Sequence, residues 1–474
     1  MYHLDGTDYI KEKYYKKTES VCPECLKVIP AEIIEKDDQI YMEKTCDEHG
    51  FFKDKLSSSA RYYKWTHYGT KNWSFEKDGD ANPPDGDDFD PEERGCPYNC
   101  GICSEHLSTC SLALIDLTNR CNFNCNFCFA NVTKAGYLVE PTIEEIGKIM
   151  DHFRNKPIPA TSIMFSGGEP TVRKDFAEIC KMAKDRGFKE IIAATNGYGF
   201  QKKKGGLEWT KKVYEAGLDT LYLQFDGVNN ITYEKTRGIK NLMDYKMRVL
   251  ENCRKAGLSS INLVATIVNG VNDSEVGNII QFCIDNIDVI RGITFQPVSL
   301  CGRIAAEELQ ELRITNADVI KKIEQQTNGK ISMDTAWWPL TSIVEFGRII
   351  AYLADVDAIE FTCHPDCGFA TYLSIDPVTN EMVPITDYFD PIEIIDFSNR
   401  FWKKIKQKEK KPIEFFSNFL GDFGKTLDKG LESLDKAQLR ARFLLGMLQY
   451  TKKPGKLMEM FSRVLINGDW ESIS

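Results

Sequence analysis

The chain has 474 residues, a formal net charge of −10 and 16 cysteines. This length allows a large hydrophobic core and roughly two to four domains. The acidic balance argues against a general nucleic-acid binder, because phosphate contacts need a basic face. The first residues are polar rather than a secretory signal, and no uninterrupted apolar run reaches the roughly 18 residues of a membrane span. We therefore predict a cytoplasmic protein whose cysteines mostly bind metal.

Residues 1–76 are predicted to form a small metal-binding domain. A C-x2-C pair, Cys22 and Cys25, and a C-x2-H pair, Cys46 and His49, flank a predicted hairpin. This spacing is typical of a rubredoxin-like or zinc-ribbon site, in which two turns present four ligands to one ion. Both zinc and iron suit such a tetrahedral, sulfur-rich set. Alternatively, His49 is an ordinary turn histidine and the fourth ligand lies elsewhere.

Residues 77–111 join an acidic, Pro- and Gly-rich linker to a second group of cysteines. The linker, 78–94, has hardly any apolar residues and indicates a domain boundary. The group that follows has a C-x3-C-x2-C array and one further thiol, which would complete a cluster's ligand set. We predict a fully ligated auxiliary [4Fe–4S] cluster, with tetrahedral zinc as the alternative. Its ligands would be Cys96, Cys100, Cys103 and Cys110.

A second C-x3-C-x2-C array follows the apolar run 112–117. Its members, Cys121, Cys125 and Cys128, have no fourth cysteine nearby. Thiolates are the ligands that iron–sulfur clusters require, and three of them leave one iron of a cube open to a small molecule. The alternatives are a structural zinc loop and chance spacing in a cysteine-rich chain.

Strand and helix patterns alternate over residues 112–300, which predicts an α/β fold with a parallel sheet. Six units fall short of the eight in a closed barrel. Predicted strands cover 112–117, 162–165, 190–194, 220–224, 261–267 and 292–297. Predicted helices cover 143–154, 175–185, 207–216, 245–256 and 276–286.

Polar signatures follow these strands, at the carboxyl ends where the active residues of parallel sheets lie. The second strand leads into Gly167-Gly168-Glu169, whose glycines allow close backbone approach and whose carboxylate can accept hydrogen bonds from an ammonium group. Later strands end near Thr195 and Asp226. Asp226 is equally well interpreted as a helix cap or turn residue.

The second array, with Phe127 directly before its last cysteine and the GGE motif one βα unit later, resembles the radical S-adenosylmethionine (SAM) superfamily. The resemblance implies a six-stranded (β/α)6 partial TIM barrel, open on one side. It also implies that the open iron binds SAM, that an external donor of ferredoxin or flavodoxin type supplies one electron, and that SAM is cleaved to a deoxyadenosyl radical. The SAM-binding residues carried over are Phe127, Gly167, Gly168, Glu169, Thr195, Asn196, Gln224, Asp226, Thr266 and Val298.

Residues 301–375 are predicted to carry a second auxiliary [4Fe–4S] cluster on Cys301, Cys363 and Cys367. Its fourth ligand is either His364 or another cysteine.

Residues 376–474 are predicted to be helical. There, the basic and aromatic segment 401–411 precedes an apolar stripe at helical spacing. The stripe indicates either a core-facing helix or peripheral contact with the inner face of an anionic membrane.

Together, the ribbon, both cysteine arrays and the Cys363–Cys367 motif resemble the tetraether lipid synthase group, the archaeal glycerol dialkyl glycerol tetraether and macrocyclic archaeol synthases. This resemblance implies three [4Fe–4S] clusters, one mononuclear iron and an isoprenoid ether lipid substrate. Two SAM molecules would be consumed for each carbon–carbon bond between terminal methyl carbons. Trp337, Trp338 and Phe361 are candidate tunnel residues, although each also suits a buried core.

Three other functions remain open at this point. A radical SAM methylase acting on a pterin-type ring shares the cysteine layout and predicts a polar substrate cavity. A peptide-modifying enzyme would bring a peptide-binding module, which the sequence does not show. An electron-transfer protein is disfavoured by the GGE motif and by the incomplete thiolate set at Cys121.

Overall fold

The computed structural model describes residues 13–68, 110, 112–132, 136–156, 159–354, 364–376, 379–387 and 391–406. The chain divides into two compact units. Unit 1 comprises residues 1–76 and 330–474, and unit 2 comprises residues 77–329.

The amino-terminal part of unit 1 is an antiparallel sheet of four strands in sequential order. Its elements are β1 (Tyr15–Val21), β2 (Val28–Lys36), β3 (Gln39–Cys46), β4 (Gly50–Ser57) and the helix α1 (Ala60–Tyr68). The predicted hairpin corresponds to β2 and β3, which pair from Ala31↔Lys44 to Lys36↔Gln39. The charged outer strands escaped prediction because β1 and β4 lack a clear apolar period. A small core of Ile33, Ile40, Ala60 and Tyr63 joins α1 to the sheet.

The carboxyl-terminal part of unit 1 combines short strands and helices. Its elements are β11 (Trp338–Pro339), α10 (Val344–Ala354), β12 (Phe369–Ala370), β13 (Leu373–Ile375), β14 (Met382–Pro384) and α11 (Pro391–Lys406). Phe401, at the start of the basic and aromatic segment, is buried on α11 and its ring stacks on Phe397 at 5.5 Å. The apolar stripe that follows this segment is not among the described residues, so its core and membrane alternatives both stay predictions. Residues 407–474 lie outside the described part of the chain.

Unit 2 contains a six-stranded parallel sheet in the order β10-β9-β8-β7-β6-β5. The strands are β5 (Ala113–Thr118), β6 (Ser162–Gly167), β7 (Glu190–Thr195), β8 (Thr220–Gln224), β9 (Ile261–Ile267) and β10 (Ile290–Pro297). The prediction of six parallel strands is confirmed, with small shifts at the strand ends. Within the described residues β5 and β10 each pair with one neighbour only, so the sheet does not close into a barrel.

Helices connect the strands, and local signals explain where they begin and end. They are α2 (Ile143–Arg154), α3 (Phe176–Asp185), α4 (Gly206–Glu215), α5 (Asn230–Arg237), α6 (Leu242–Ala256), α7 (Val276–Asp285), α8 (Leu309–Leu312) and α9 (Asn316–Gln326). Thr142 and Glu145 form a capping box that starts α2, and Gly257 ends α6 in the left-handed conformation at φ 82°. The sequence analysis missed α5, because its polar residues show little helical period.

Alternation along the strands gives the sheet two different faces. On β8, Leu221 and Leu223 are fully buried in the core, whereas Tyr222 and Gln224 are half-buried on the opposite face. That opposite face also carries paired polar side chains. Gln296 Nε2 donates to Tyr222 Oη at 3.1 Å, and Asn262 Nδ2 donates to Thr294 Oγ1 at 2.8 Å. On β8 to β10 this face is therefore polar, whereas on β5 to β7 it carries the apolar side chains of Leu114, Met164 and Ile192.

Candidate functional site

The loop with Cys121, Cys125 and Cys128 begins where β5 ends and lies against the turn after β6. Gly168 N donates to Thr118 O at 2.7 Å, and Glu169 N donates to Arg120 O at 2.8 Å. A Cβ on Gly168 would lie 2.3 Å from Arg120 O, which leaves no room for any other residue. Because glycine has no side chain, the backbone of the GGE turn can approach the start of the cysteine loop closely enough to form these backbone hydrogen bonds.

We expect Gly168→Ala to displace the cysteine loop, because the added methyl group would overlap the carbonyl of Arg120. Forced overpacking of this kind costs about 1–3 kcal/mol. The measurement is thermal unfolding together with the iron content after anaerobic reconstitution. Gly147→Ala is the matched control, since its Cβ would meet only the flexible side-chain ends of Arg186 and Met182. Equal iron retention and stability in the two variants would contradict this role of Gly168.

Glu169 lies fully buried and accepts hydrogen bonds from the turn that follows β6 and from the end of β7. Its Oε1 accepts from the Thr195 hydroxyl at 2.7 Å and from Thr171 N at 3.1 Å, while Oε2 accepts from Asn196 N at 2.7 Å. Burial raises the pKa of Glu169, and these hydrogen bonds oppose that effect. Glu169 thereby ties the ends of β6 and β7 together below the cysteine loop. Its contact with SAM stays a prediction.

The sequence analysis missed Lys246, which lies fully buried on α6 beneath the ends of β7 and β8. Its Nζ donates to Asn196 O at 2.7 Å and to Gln224 Oε1 at 2.9 Å. Burial lowers the pKa of Lys246 to about 7. A signal was present in the sequence, because Lys246 occupies the apolar stripe of α6, one turn after Leu242 and one before Val249. It fixes two of the predicted SAM-binding residues.

Asp226 and Arg237 form a buried ion pair with two parallel hydrogen bonds. Arg237 Nη2 lies 2.7 Å from Asp226 Oδ1, and Thr266 N also donates to that oxygen, at 3.2 Å. Burial would lower the pKa of Arg237, but Asp226 and then Cys125 outweigh it, so the net pKa is raised. Asp226 is thus neither a helix cap nor a turn residue. It holds a guanidinium beside a predicted cluster ligand.

Further contacts hold the cysteine loop in place within unit 2. Asn126 Nδ2 donates to Lys235 O at 2.8 Å, and Arg303 Nη1 donates to Cys125 O at 3.0 Å. Gly302 packs so closely on the loop that a Cβ there would lie 2.3 Å from Cys128 O. The loop is therefore supported from several elements.

The three thiols of this loop fit an iron–sulfur cluster. The pKa of Cys121 is raised to about 11, chiefly by burial and then by the Glu169 carboxylate and the two other thiols, while the N–H of Phe123 opposes the rise. Three thiols on one fixed loop form the ligand set that leaves one iron of a [4Fe–4S] cluster without a protein ligand. When bound, such a cluster supplies the electron that cleaves SAM.

Two other predicted SAM-binding residues are Phe127 and Val298. Phe127 is half-buried on this loop, and the buried Val298 donates its N–H to Ile267 O at 2.9 Å.

The ribbon ligands of unit 1 converge as the spacing predicts. One ligand atom of each of Cys22, Cys25, Cys46 and His49 lies within 4.8 Å of all the others. Cys25 Sγ lies 3.9 Å from Cys46 Sγ, and Cys46 Sγ lies 3.5 Å from His49 Nδ1. A tetrahedral ion with bonds of about 2.3 Å holds its ligand atoms about 3.8 Å apart. The N–H of Glu48, and then His49, lower the pKa of Cys46, which favours the thiolate that a metal requires.

We expect His49→Ala to weaken metal binding at the ribbon, because only three of the four converging ligands would remain. A chelator titration followed by metal analysis should then release zinc or iron from the variant at a lower chelator concentration than from the wild type. His152→Ala is the control, since His152 is exposed on α2. Identical release from wild type and His49→Ala would place the fourth ligand elsewhere.

The remaining predicted site residues are only partly described. Cys110 is half-buried, and burial raises its pKa. Its predicted partners Cys96, Cys100 and Cys103, and also Cys363 and Phe361, lie outside the described residues. Cys301 is exposed in unit 2 and Cys367 is exposed in unit 1. Both auxiliary clusters stay predictions.

The two predicted tunnel tryptophans lie in unit 1. Trp338 is buried, with its ring 6.0 Å from that of Tyr372. Trp337 is half-buried, and its carbonyl accepts a hydrogen bond from Trp65 Nε1 at 3.2 Å. These contacts suit packing within unit 1.

Two family models match the chain. That of the radical SAM superfamily matches residues 115–283, from β5 to α7. That of the HMPTM N-terminal zinc ribbon domain matches residues 14–58, which contain all four ribbon ligands.

Among proteins of known function, a 7,8-dihydro-6-hydroxymethylpterin dimethyltransferase from Methanocaldococcus jannaschii is 44% identical over 375 residues, which cover 79% of this chain and 71% of that protein. An Fe-coproporphyrin III synthase from Methanosarcina barkeri is 34% identical over 143 residues, which cover 30% of this chain and 34% of that protein. With the fold and the cysteine loop, these matches show that the chain belongs to the radical SAM superfamily. Within it, the chain is similar to the pterin dimethyltransferase over most of its length.

A solved structure of HydG, a maturase of the [FeFe]-hydrogenase, aligns with a TM-score of 0.37 and 14% identity over 46% of this chain and 50% of that chain. This similarity is too low to support a conclusion about function.

The comparisons correct the predicted function. The prediction of a lipid synthase that joins isoprenoid chains is wrong, because the relative that matches most of the chain is a pterin dimethyltransferase and the ribbon matches the HMPTM domain. The isoprenoid ether lipid substrate was part of that prediction and is withdrawn together with it. The physical reason is that cysteine spacing indicates cluster ligation, which enzymes with unrelated substrates share.

In the described part of the chain, no helix is both long and apolar enough to span a membrane.

Proposed function

We propose that this protein is a radical SAM methylase that acts on a reduced pterin with a hydroxymethyl side chain. The observation that carries the proposal is the 44% identity to the pterin dimethyltransferase over 71% of that protein's length. The zinc ribbon supports it independently, because it matches the domain model of HMPTM.

The polar part of this sheet face, on β8 to β10, supports a polar substrate. The side chains of Tyr222, Gln296 and Asn262 offer hydrogen-bonding groups at neighbouring positions on β8, β10 and β9. A pterin ring presents alternating N–H, amino and carbonyl groups along its edge, which such side chains can pair. A saturated hydrocarbon chain would cover these polar side chains without forming a hydrogen bond to any of them.

In this proposal the loop at Cys121, Cys125 and Cys128 holds the cluster that receives SAM, and a ferredoxin- or flavodoxin-type donor supplies the electron. Asn196, Gln224 and Lys246 hold the ends of β7 and β8 beside the loop. Arg237, paired with Asp226, places a positive charge next to Cys125.

The test is anaerobic incubation of the reconstituted protein with SAM, a strong one-electron reductant and 7,8-dihydro-6-hydroxymethylpterin. We expect a second SAM molecule to donate each methyl group, so that every transfer gives a pterin heavier by one methylene unit, one S-adenosylhomocysteine and one deoxyadenosine, all read by mass spectrometry. A diether lipid supplied in place of the pterin is the control. Joined lipid, or deoxyadenosine formation without any methylated pterin, would overturn the proposal.

A further inference from the structure

Three further ligand-type side chains converge in unit 1, away from the ribbon. One ligand atom of each of His67, His364 and Asp366 lies within 4.8 Å of the other two. Asp366 Oδ1 lies 3.8 Å from His67 Nδ1, and Asp366 Oδ2 lies 3.6 Å from His364 Nδ1. None of the three is a ligand of the ribbon.

These residues come from two elements that pack on each other. His67 is in the last turn of α1, and Asp366 lies in the 3-10 turn Pro365–Cys367, which follows His364. The rings of Tyr62 and Phe369 meet at 5.3 Å and join α1 to the segment after this turn. The Thr66 hydroxyl lies 3.2 Å from Asp366 Oδ1, so the carboxylate is held toward the helix.

The carboxylate of Asp366 makes no direct hydrogen bond to either ring nitrogen Nδ1, because both Nδ1–oxygen distances, 3.6 and 3.8 Å, are too long. Each Nδ1 has a closer partner: Tyr63 O for His67, at 2.9 Å, and Asp366 N for His364, at 3.3 Å. One ligand atom of each of the three side chains nevertheless lies within 4.8 Å of the others, the same limit that the four ribbon ligands meet. The cluster and the ribbon therefore share the convergence of groups that surround a cation.

The surroundings of His67 are also those of a metal ligand. Its Nδ1 lies 2.9 Å from Tyr63 O, where an N–H can donate to the carbonyl. A metal-binding histidine usually donates one ring N–H to a carbonyl or carboxylate, which fixes the ring and leaves the lone pair on the other nitrogen. In His67 that other nitrogen is Nε2.

We propose that His67, His364 and Asp366 bind a divalent transition-metal cation such as zinc. Two imidazoles and one carboxylate suit zinc or ferrous iron, and the exposure of His364 leaves the remaining coordination positions to water. The bound ion would join α1 to the segment that carries Cys367. The site contains no thiolate, which distinguishes it chemically from the ribbon, and its use of His364 leaves the fourth position of the second predicted auxiliary cluster to a cysteine.

The test uses the full-length protein with its ribbon and clusters loaded. Equilibrium dialysis against zinc, followed by metal analysis, should find one more zinc per chain in the wild type than in His67→Gln or Asp366→Asn. His152→Gln is the matched control and should bind as much zinc as the wild type. Equal zinc binding by the wild type and both cluster variants would overturn the proposal.

A second measurement keeps the proposal falsifiable if those variants lose their clusters. Cobalt added to the loaded wild-type protein is examined by X-ray absorption at the cobalt edge, which iron does not obscure. We expect a first shell of nitrogen and oxygen only. Sulfur in that shell, or no bound cobalt, would overturn the site. Neither experiment depends on methylase activity, so failure here and failure of the proposed function remain distinguishable.

Discussion

Replacing Cys125 by alanine is expected to abolish SAM cleavage and to remove the iron of one [4Fe–4S] cluster, while the ribbon keeps its metal. Cys125 is one of the three thiols on the loop after β5, beside the Arg237 guanidinium, and two thiolates cannot hold the cluster with its open iron in place. The measurements are iron content, electron paramagnetic resonance of the reduced protein, and deoxyadenosine by mass spectrometry.

Cys283→Ala is the control for this experiment. Cys283 lies on α7 outside every cysteine array, and burial raises its pKa to about 12, so its thiol stays protonated. The control variant should keep wild-type iron and SAM cleavage. Deoxyadenosine formation at wild-type level by Cys125→Ala would show that this loop does not hold the cluster that cleaves SAM.

Replacing Asp226 by alanine is expected to lower the stability of the protein by about 3–5 kcal/mol, because Arg237 would remain buried without its counter-charge. For a domain of this size the loss corresponds to about 6–20 °C in the melting temperature. The measurement is thermal unfolding monitored by circular dichroism. The double variant Asp226→Ala/Arg237→Met should recover much of the loss, since it leaves no unpaired buried charge.

Asp288→Ala is the matched control for the ion pair. Asp288 pairs with Arg254, but their side chains are 54% and 37% exposed, so water screens the interaction. Exposed pairs of this kind contribute about 0–1 kcal/mol. An equal loss of stability in the Asp226 and Asp288 variants would show that burial does not set the strength of the Asp226–Arg237 pair.

Substrate class was the part of the function that cysteine motifs could not predict. The spacing of Cys121, Cys125 and Cys128 predicts a cluster, and the family match confirms the superfamily. The proposed substrate contacts, however, lie on the sheet face that carries Tyr222 and Asn262. These residues lie inside strand patterns and belong to no recognisable motif. The lipid interpretation was wrong because it inferred the substrate from the cysteine spacing, which carries no information about these residues.

Local sequence determined the parts of this protein that depend on neighbours in the chain. The six strands of unit 2 and the ribbon ligand pairs were predictable, because side-chain periodicity and short ligand spacings act over a few residues. Tertiary structure alone decided the partners of Asp226 and Lys246 and the meeting of His67 with Asp366, which are 299 residues apart by their numbers (366 − 67). Those contacts depend on how helices pack against strand ends and turns, and no local pattern encodes that packing.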